Sequence, residues 1–142
     1  LALHYGRAAP PIRTWINRLH DRAIASGKHC RCVGGRYRDY GLDDSDIQAG
    51  LKAFEEAMEL AEGQAVRRRV EKASLWAYRA ALEPVWHAKN DEKIDPALAK
   101  RLRPAARHFF ELCRKYDVKR STEGSQHTIK EVRERLTRLM GL

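Results

Sequence analysis

The sequence predicts an all-α fold, a bundle of about five helices with one long loop at residues 28–43. Three observations carry this. Apolar residues recur at helical spacing in five separate stretches. Start and stop residues of known chemistry bracket those stretches. The links between them are short, so the apolar stripes must bury against one another.

Leu1 to Tyr5 read as the end of a preceding helix, interrupted at Gly6. Ile12, Trp15, Ile16, Leu19 and Ala23 then fall at i, i+3, i+4, i+7 and i+11, one stripe of a helix. Pro10 and Pro11 suit its first turn, where the missing N–H has no partner to lose, and Gly27 is its stop. Residues 28–43 lack any 3.6-residue period and hold three glycines, so they are expected as a loop, with a short strand allowed near Cys30 to Val33. A loop of this length is uncommon and often functional.

The second long helix is expected to start at Ser45, with Gln48 completing a capping box, and to end at Gly63. Its buried stripe is Ile47, Leu51, Phe54, Met58 and Ala61. The third is expected from Gln64 to Trp86, with Pro84 kinking or ending it. Val66, Val70, Ala73, Ala77, Ala80 and Ala81 give it an inner face, widened by Leu75, Trp76, Tyr78 and Leu82, which suits a central helix. Asp95-Pro96 signals the next start, and Pro104 inside that helix predicts a bend. Its stripe is Leu98, Leu102, Ala105, Phe109, Leu112, Cys113 and Tyr116. Thr128 with Glu131 forms a second capping box, opening a last helix closed by Gly141.

A chain of 142 residues fits a single helical domain over 1–142. With 43% hydrophobic and 33% charged residues, it is neither a disordered tail nor a membrane protein, and no apolar run approaches the ~20 residues of a spanning helix. It opens mid-element at Leu1, with neither signal peptide nor initiator Met, and is therefore expected to be a C-terminal fragment of a larger protein. Lys and Arg total 28 against 19 acids, for a net charge of +9. That excess favours nucleic acid, anionic lipid or acidic sugar without choosing among them. Because the cations are spread along the helices, solvated faces are the preferred reading. Three cysteines make a poor disulfide framework and leave the compartment open.

His29-Cys30-x-Cys32 is the most metal-like cluster, since thiolate and imidazole suit zinc. Structural zinc sites need four ligands at wider spacing, so packing within the loop is preferred and no metal is assigned. Gly34-Gly35 lacks the flanking pattern of a phosphate loop and reads as a turn. Arg67, Arg68 and Arg69 span about 200° of helix and cannot face one ligand together. Lys100, Arg101, Arg103 and Arg107 form a second basic group, and Arg114, Lys115, Lys119 and Arg120 a third. Aligned by packing, they would grip phosphates, although no nucleic-acid signature accompanies them. Glu55, Glu59 and Glu62 share one face, which suits solvent and not the sugar-sized gap of a glycosidase. Trp15 and Trp76 fall on apolar stripes and are expected in the core. Trp86, at a helix end after Pro84, is expected to be partly exposed. His4, His20, His87, His108 and His127 have no Ser or Cys partner at a readable motif spacing.

The stretch from Tyr5-Gly6-Arg7-Ala8-Ala9-Pro10-Pro11-Ile12-Arg13 to Leu19-His20, with Phe109-Phe110-Glu111-Leu112-Cys113 through Val118-Lys119-Arg120 to Glu123-Gly124, carries a resemblance. It continues in a short helix with Val132 and Leu136. The chain resembles, over nearly its whole length, the C-terminal helical region of an uncharacterised bacterial family. Full-length members carry a preceding (β/α) barrel similar to α-glucuronidases and hexosaminidase-type glycosidases. The resemblance implies that the barrel holds the catalytic carboxylates, so no catalytic residue carries over to this chain. The Cys30-x-Cys32 loop and the high basic charge depart from that family.

The expectation is therefore a non-catalytic helical accessory domain of a carbohydrate-active enzyme, with no cofactor. Its partners would be an upstream catalytic barrel or a second copy of the chain, and not a membrane. Arg36, Tyr37, Arg38 and Tyr40 are the expected contact residues, because guanidinium and phenol groups both stack and hydrogen-bond, with Trp86 as a further aromatic candidate. The alternative is a basic nucleic-acid-binding helical module.

Overall fold

The computed structural model describes residues 1–28, 36–120 and 127–142. The described residues contain five helices of twelve or more residues, with short helical turns between them and no strand. The all-α expectation holds. The sequence reads as one domain; the structure groups it into two compact units, residues 1–80 and 81–142.

In the first unit, α1 (Ala2–Tyr5) runs through a 3-10 turn at Gly6–Ala8 into α2 (Ala9–Ala25). Prolines occupy the first turn of α2, as expected. A second 3-10 turn, Tyr37–Tyr40, precedes α3 (Asp44–Leu60), and α4 spans Gly63–Ala81. The antiparallel course of α2 and α3 is fixed at both ends. Arg7 pairs with Glu62 at 3.0 Å, and Arg22 pairs with Asp43. Between them lie Ala8, Ile12, Trp15, Ala53, Phe54 and Ala57, all buried. Trp15 meets Phe54 edge to face, with centroids 5.5 Å apart. Gly50 makes the approach feasible: a Cβ there would lie 2.5 Å from the Trp15 ring.

Three details differ from the sequence reading. α3 begins two residues earlier, with Asp43 as N-cap and Asp46 completing the box. Ile16 is exposed, because it stands about 100° round from Trp15 and beyond the contact with α3. Trp76, expected in the core, is 76% exposed. Val70, Ser74, Ala77 and Ala81 form the buried stripe of α4, and Trp76 projects about 120° away from its middle.

In the second unit, α4 stops at Ala81 and a new short helix, α5 (Glu83–Trp86), starts with Pro84 in its first turn. The expected interruption at Pro84 is thus an end and not a kink. α6 (Pro96–Lys115) is capped by Asp95, whose carboxylate accepts the Leu98 N–H at 2.9 Å, and it continues through Pro104. α7 (Ile129–Met140) opens with the expected Thr128–Glu131 box. α6 and α7 run antiparallel: the Ile129 N–H reaches the Lys119 carbonyl at 2.8 Å, and Arg103 Nε reaches the Met140 carbonyl at 2.5 Å. Leu82, Val85, Leu136 and Met140 are fully buried, and Phe109 stacks edge-on against both Trp86 and Phe110.

Candidate functional site

The expected contact residues lie on a corner that joins the 3-10 turn at 37–40 to the start of α3. Its foundation is Asp46, whose side chain is completely buried. Asp46 accepts hydrogen bonds from Arg18 Nε at 2.7 Å, Arg22 Nε at 3.2 Å and the Asp43 N–H at 2.9 Å. Burial pushes its carboxyl group up. The Asp43 N–H and the two guanidinium groups outweigh that and hold it below its ordinary value. The Asp46 carbonyl also accepts Trp15 Nε1 at 2.9 Å, which ties this polar knot to the apolar core.

Asp43 completes the knot. It accepts the Ser45 hydroxyl at 2.6 Å and the Ser45 N–H at 2.8 Å, and it pairs with Arg22. The Ser45 hydroxyl lowers the Asp43 carboxyl pKa; burial opposes it, and the backbone N–H groups of Asp46 and Ser45 with Arg22 keep the net shift downward.

The corner itself is built on this base. The Arg36 N–H donates to Asp39 Oδ2 at 2.8 Å, closing the 3-10 turn. Gly41 follows in the left-handed region, at φ 78°, and sits on Ser26 so closely that a Cβ would lie 2.2 Å from the serine Cβ. Lys28 Nζ donates to the Arg38 carbonyl at 3.0 Å. The Tyr37 hydroxyl and Arg38 both donate to Asp44, the arginine at 3.0 Å. The Arg38 guanidinium stands 5.5 Å from the centre of the Tyr37 ring. Burial and the Asp44 carboxylate raise the Tyr37 phenol, and Asp44 followed by Tyr37 raises Arg38. Arg22, Lys28, Arg38, Leu42 and residues 43–45 border an open depression of about 600 Å³.

Arg36 and Arg38 are therefore exposed, and Tyr37 and Tyr40 are half-buried on the same turn. Trp86 does not join them. It is 4% exposed, with Phe109 against its ring and Arg135 donating to its carbonyl at 2.6 Å, so its expected exposure is corrected. Its place at a helix end after Pro84 suggested exposure, but α7 covers that end through Arg135. His29, Cys30, Cys32 and the Gly34-Gly35 turn lie outside the described residues. Among the described residues no group of three His, Cys, Asp or Glu stands close enough to hold a metal, and no helix is long and apolar enough to cross a membrane. Cys113 is buried on α6, and burial pushes its thiol up to about 12, which suppresses the nucleophilic thiolate.

A second surface lies in the 81–142 unit. Arg107, Phe110, Glu111 and Arg114 of α6 face Arg133 and Thr137 of α7 across a groove of about 280 Å³. The sequence grouped Arg107 and Arg114 in different basic clusters; the helical hairpin puts them on one wall and adds Arg133 opposite.

No protein-family model matches the chain, and no curated protein or solved structure matches it either.

Proposed function

We propose that the chain is a non-catalytic helical accessory domain of a carbohydrate-active protein, and that it works by contact with a neighbouring catalytic barrel. The observation that carries this reading is the corner at residues 36–45. Its backbone is fastened to α2 and α3 through Ser26, Arg22 and buried Asp46, while Arg36 and Arg38 stand in solvent. A surface held this way loses little further freedom on docking, which favours contact with a rigid partner. Tyr and Arg are the side chains that anchor such contacts. The assignment of the partner rests on the family resemblance.

The test begins with the coding sequence around this chain. A barrel encoded beside it is expressed as a separate polypeptide and mixed with the chain. The two are expected to co-elute, and the Tyr37→Ala/Arg38→Ala double variant should bind about tenfold or more weakly, a loss of about 1.4 kcal/mol or more. A neighbouring sequence without a barrel, or two polypeptides that elute apart, would overturn the reading.

A further inference from the structure

We propose that the α6–α7 groove is a binding site for the phosphate backbone of nucleic acid, gripped by Arg107, Arg114 and Arg133 without reading base sequence. This site is separate from the 36–45 corner and does not depend on the accessory-domain reading.

The placement of charge is the first argument. Arg107 and Arg114 are seven residues apart, two turns on one face of α6, or about 10 Å along the axis. Lys100 and Arg103 continue the same edge at i−7 and i−4 from Arg107. Arg133 supplies a third guanidinium from the opposite wall. Among the described residues, no ion pair or hydrogen bond engages the side chains of Arg107, Arg114 or Arg133. Apart from Glu111, the acids described on this hairpin are used elsewhere. Asp95 and Glu131 cap the two helices, Asp117 holds Lys119, and Glu134 stands 4.0 Å from Lys130. Among the described residues lining the groove, Glu111 is the one acidic side chain, so three cationic side chains face one anionic side chain there. Like charges gathered across a groove repel unless an anion sits between them.

The shape of the charge selects the ligand. Cations strung along two turns and more of a helix match a ligand with repeated negative charges better than a single small anion. Guanidinium forks suit phosphate oxygens, and the Thr137 hydroxyl adds a neutral donor beside them. A membrane surface is disfavoured by the distribution of apolar side chains. Among the described residues, the exposed large hydrophobics, Leu1, Leu3, Ile16, Ile24 and Trp76, all belong to residues 1–80, and none lies on α6 or α7 to enter a bilayer. A protein partner would need an apolar centre on this surface, and Phe110, the one aromatic in the groove, is 4% exposed.

The experiment uses the full chain and a fluorescein-labelled mixed-sequence duplex of about 20 base pairs, followed by anisotropy across a salt series. The groove variant is Arg107→Gln/Arg114→Gln/Arg133→Gln. The control, Lys52→Gln/Arg67→Gln/Arg68→Gln, removes the same charge from exposed positions in residues 1–80. Circular dichroism checks that each is helical. The groove variant is expected to bind at least about tenfold more weakly, with a salt slope shallower by roughly 2 to 3, and the control to stay within about threefold of the parent. The corresponding Arg→Lys triple, which keeps the charge and the helix, should retain the slope. Equal losses in groove and control variants, an unchanged groove variant, or a lost slope in the lysine triple would each overturn the proposal. So would groove-dependent binding of inorganic phosphate or phosphatidylserine vesicles without binding of the duplex.

Discussion

Asp46→Asn tests the polar knot beneath the corner with almost no change in shape. The wild-type carboxylate is fully buried and accepts three hydrogen bonds, two of them from guanidinium groups. Hydrogen bonds to charged groups contribute roughly 1.5–3 kcal/mol each. Arg18 and Arg22 are 43% and 45% exposed, so water compensates them in the variant, and about 1 kcal/mol for each is the discounted figure. The asparagine oxygen can keep the Asp43 N–H, but its NH₂ group then faces a guanidinium donor, which adds about 0.5–1 kcal/mol. The expected loss is about 2–3 kcal/mol. Urea denaturation followed by circular dichroism should show a midpoint lower by about 1 M with an unchanged slope. The pH dependence supplies the sign. The folded carboxyl group has a lowered pKa, so its stabilisation is complete above the unfolded value near ~3.9 and is lost as pH falls through the folded value. The gap between parent and variant should therefore narrow below about pH 4. A midpoint shift below about 0.3 M, or a gap that persists unchanged in acid, would refute the account.

Other substitutions probe the remaining claims. Gly50→Ala gains about 1 kcal/mol of helix propensity but drives a methyl group into the Trp15 ring, so a net loss of about 1–2 kcal/mol and altered Trp15 fluorescence are expected. Trp86→Ala should cost about 3–5 kcal/mol and Trp76→Ala less than about 0.5, in thermal melts that would reverse the order if the burial pattern were wrong. Thr128→Ala removes a cap worth about 1 kcal/mol. Because the Thr128 N–H and hydroxyl lower the Glu131 pKa, that cost should be complete at neutral pH and shrink as pH falls through the carboxylate range. Alkylation of the Cys113 peptide, read by mass spectrometry at about pH 8, should be slow in the native chain and fast in urea; equal rates would contradict its burial.

The helices were legible because their signals are local. The Thr128–Glu131 box, Asp95-Pro96 and the stop at Pro84 each act within one turn, and each stands where the spacing puts it. The start of α3 was misplaced because Asp43 and Ser45 both cap well. The choice was made by Arg18 and Arg22, more than twenty residues away, which hold Asp46 at the third position. The tryptophans failed for the same kind of reason. Trp76 sits on a helix rich in small residues, where Val70, Ser74 and Ala77 suffice to define the buried side. Trp86 is covered by Arg135, forty-nine positions on. For the candidate surfaces, the residue types of the corner were readable, but its anchor was not. The pairing of Arg107 and Arg114 with Arg133 depends on the α6–α7 hairpin, and no spacing along the chain announces it.

The run Asp43-Asp44-Ser45-Asp46 has a consequence for comparing relatives of this protein. Counted as composition it is an acidic tract, yet each position has a different job: helix cap, tether of the Tyr37–Arg38 pair, support of the cap, and sealed anchor. Shuffling these four letters would conserve every bulk property and dismantle the corner. A glutamate at 46, conventionally a mild exchange, would bring one extra methylene into a place where solvent has no access at all. Substitution scores that treat the two acids as near equals will therefore misjudge divergence at this one position.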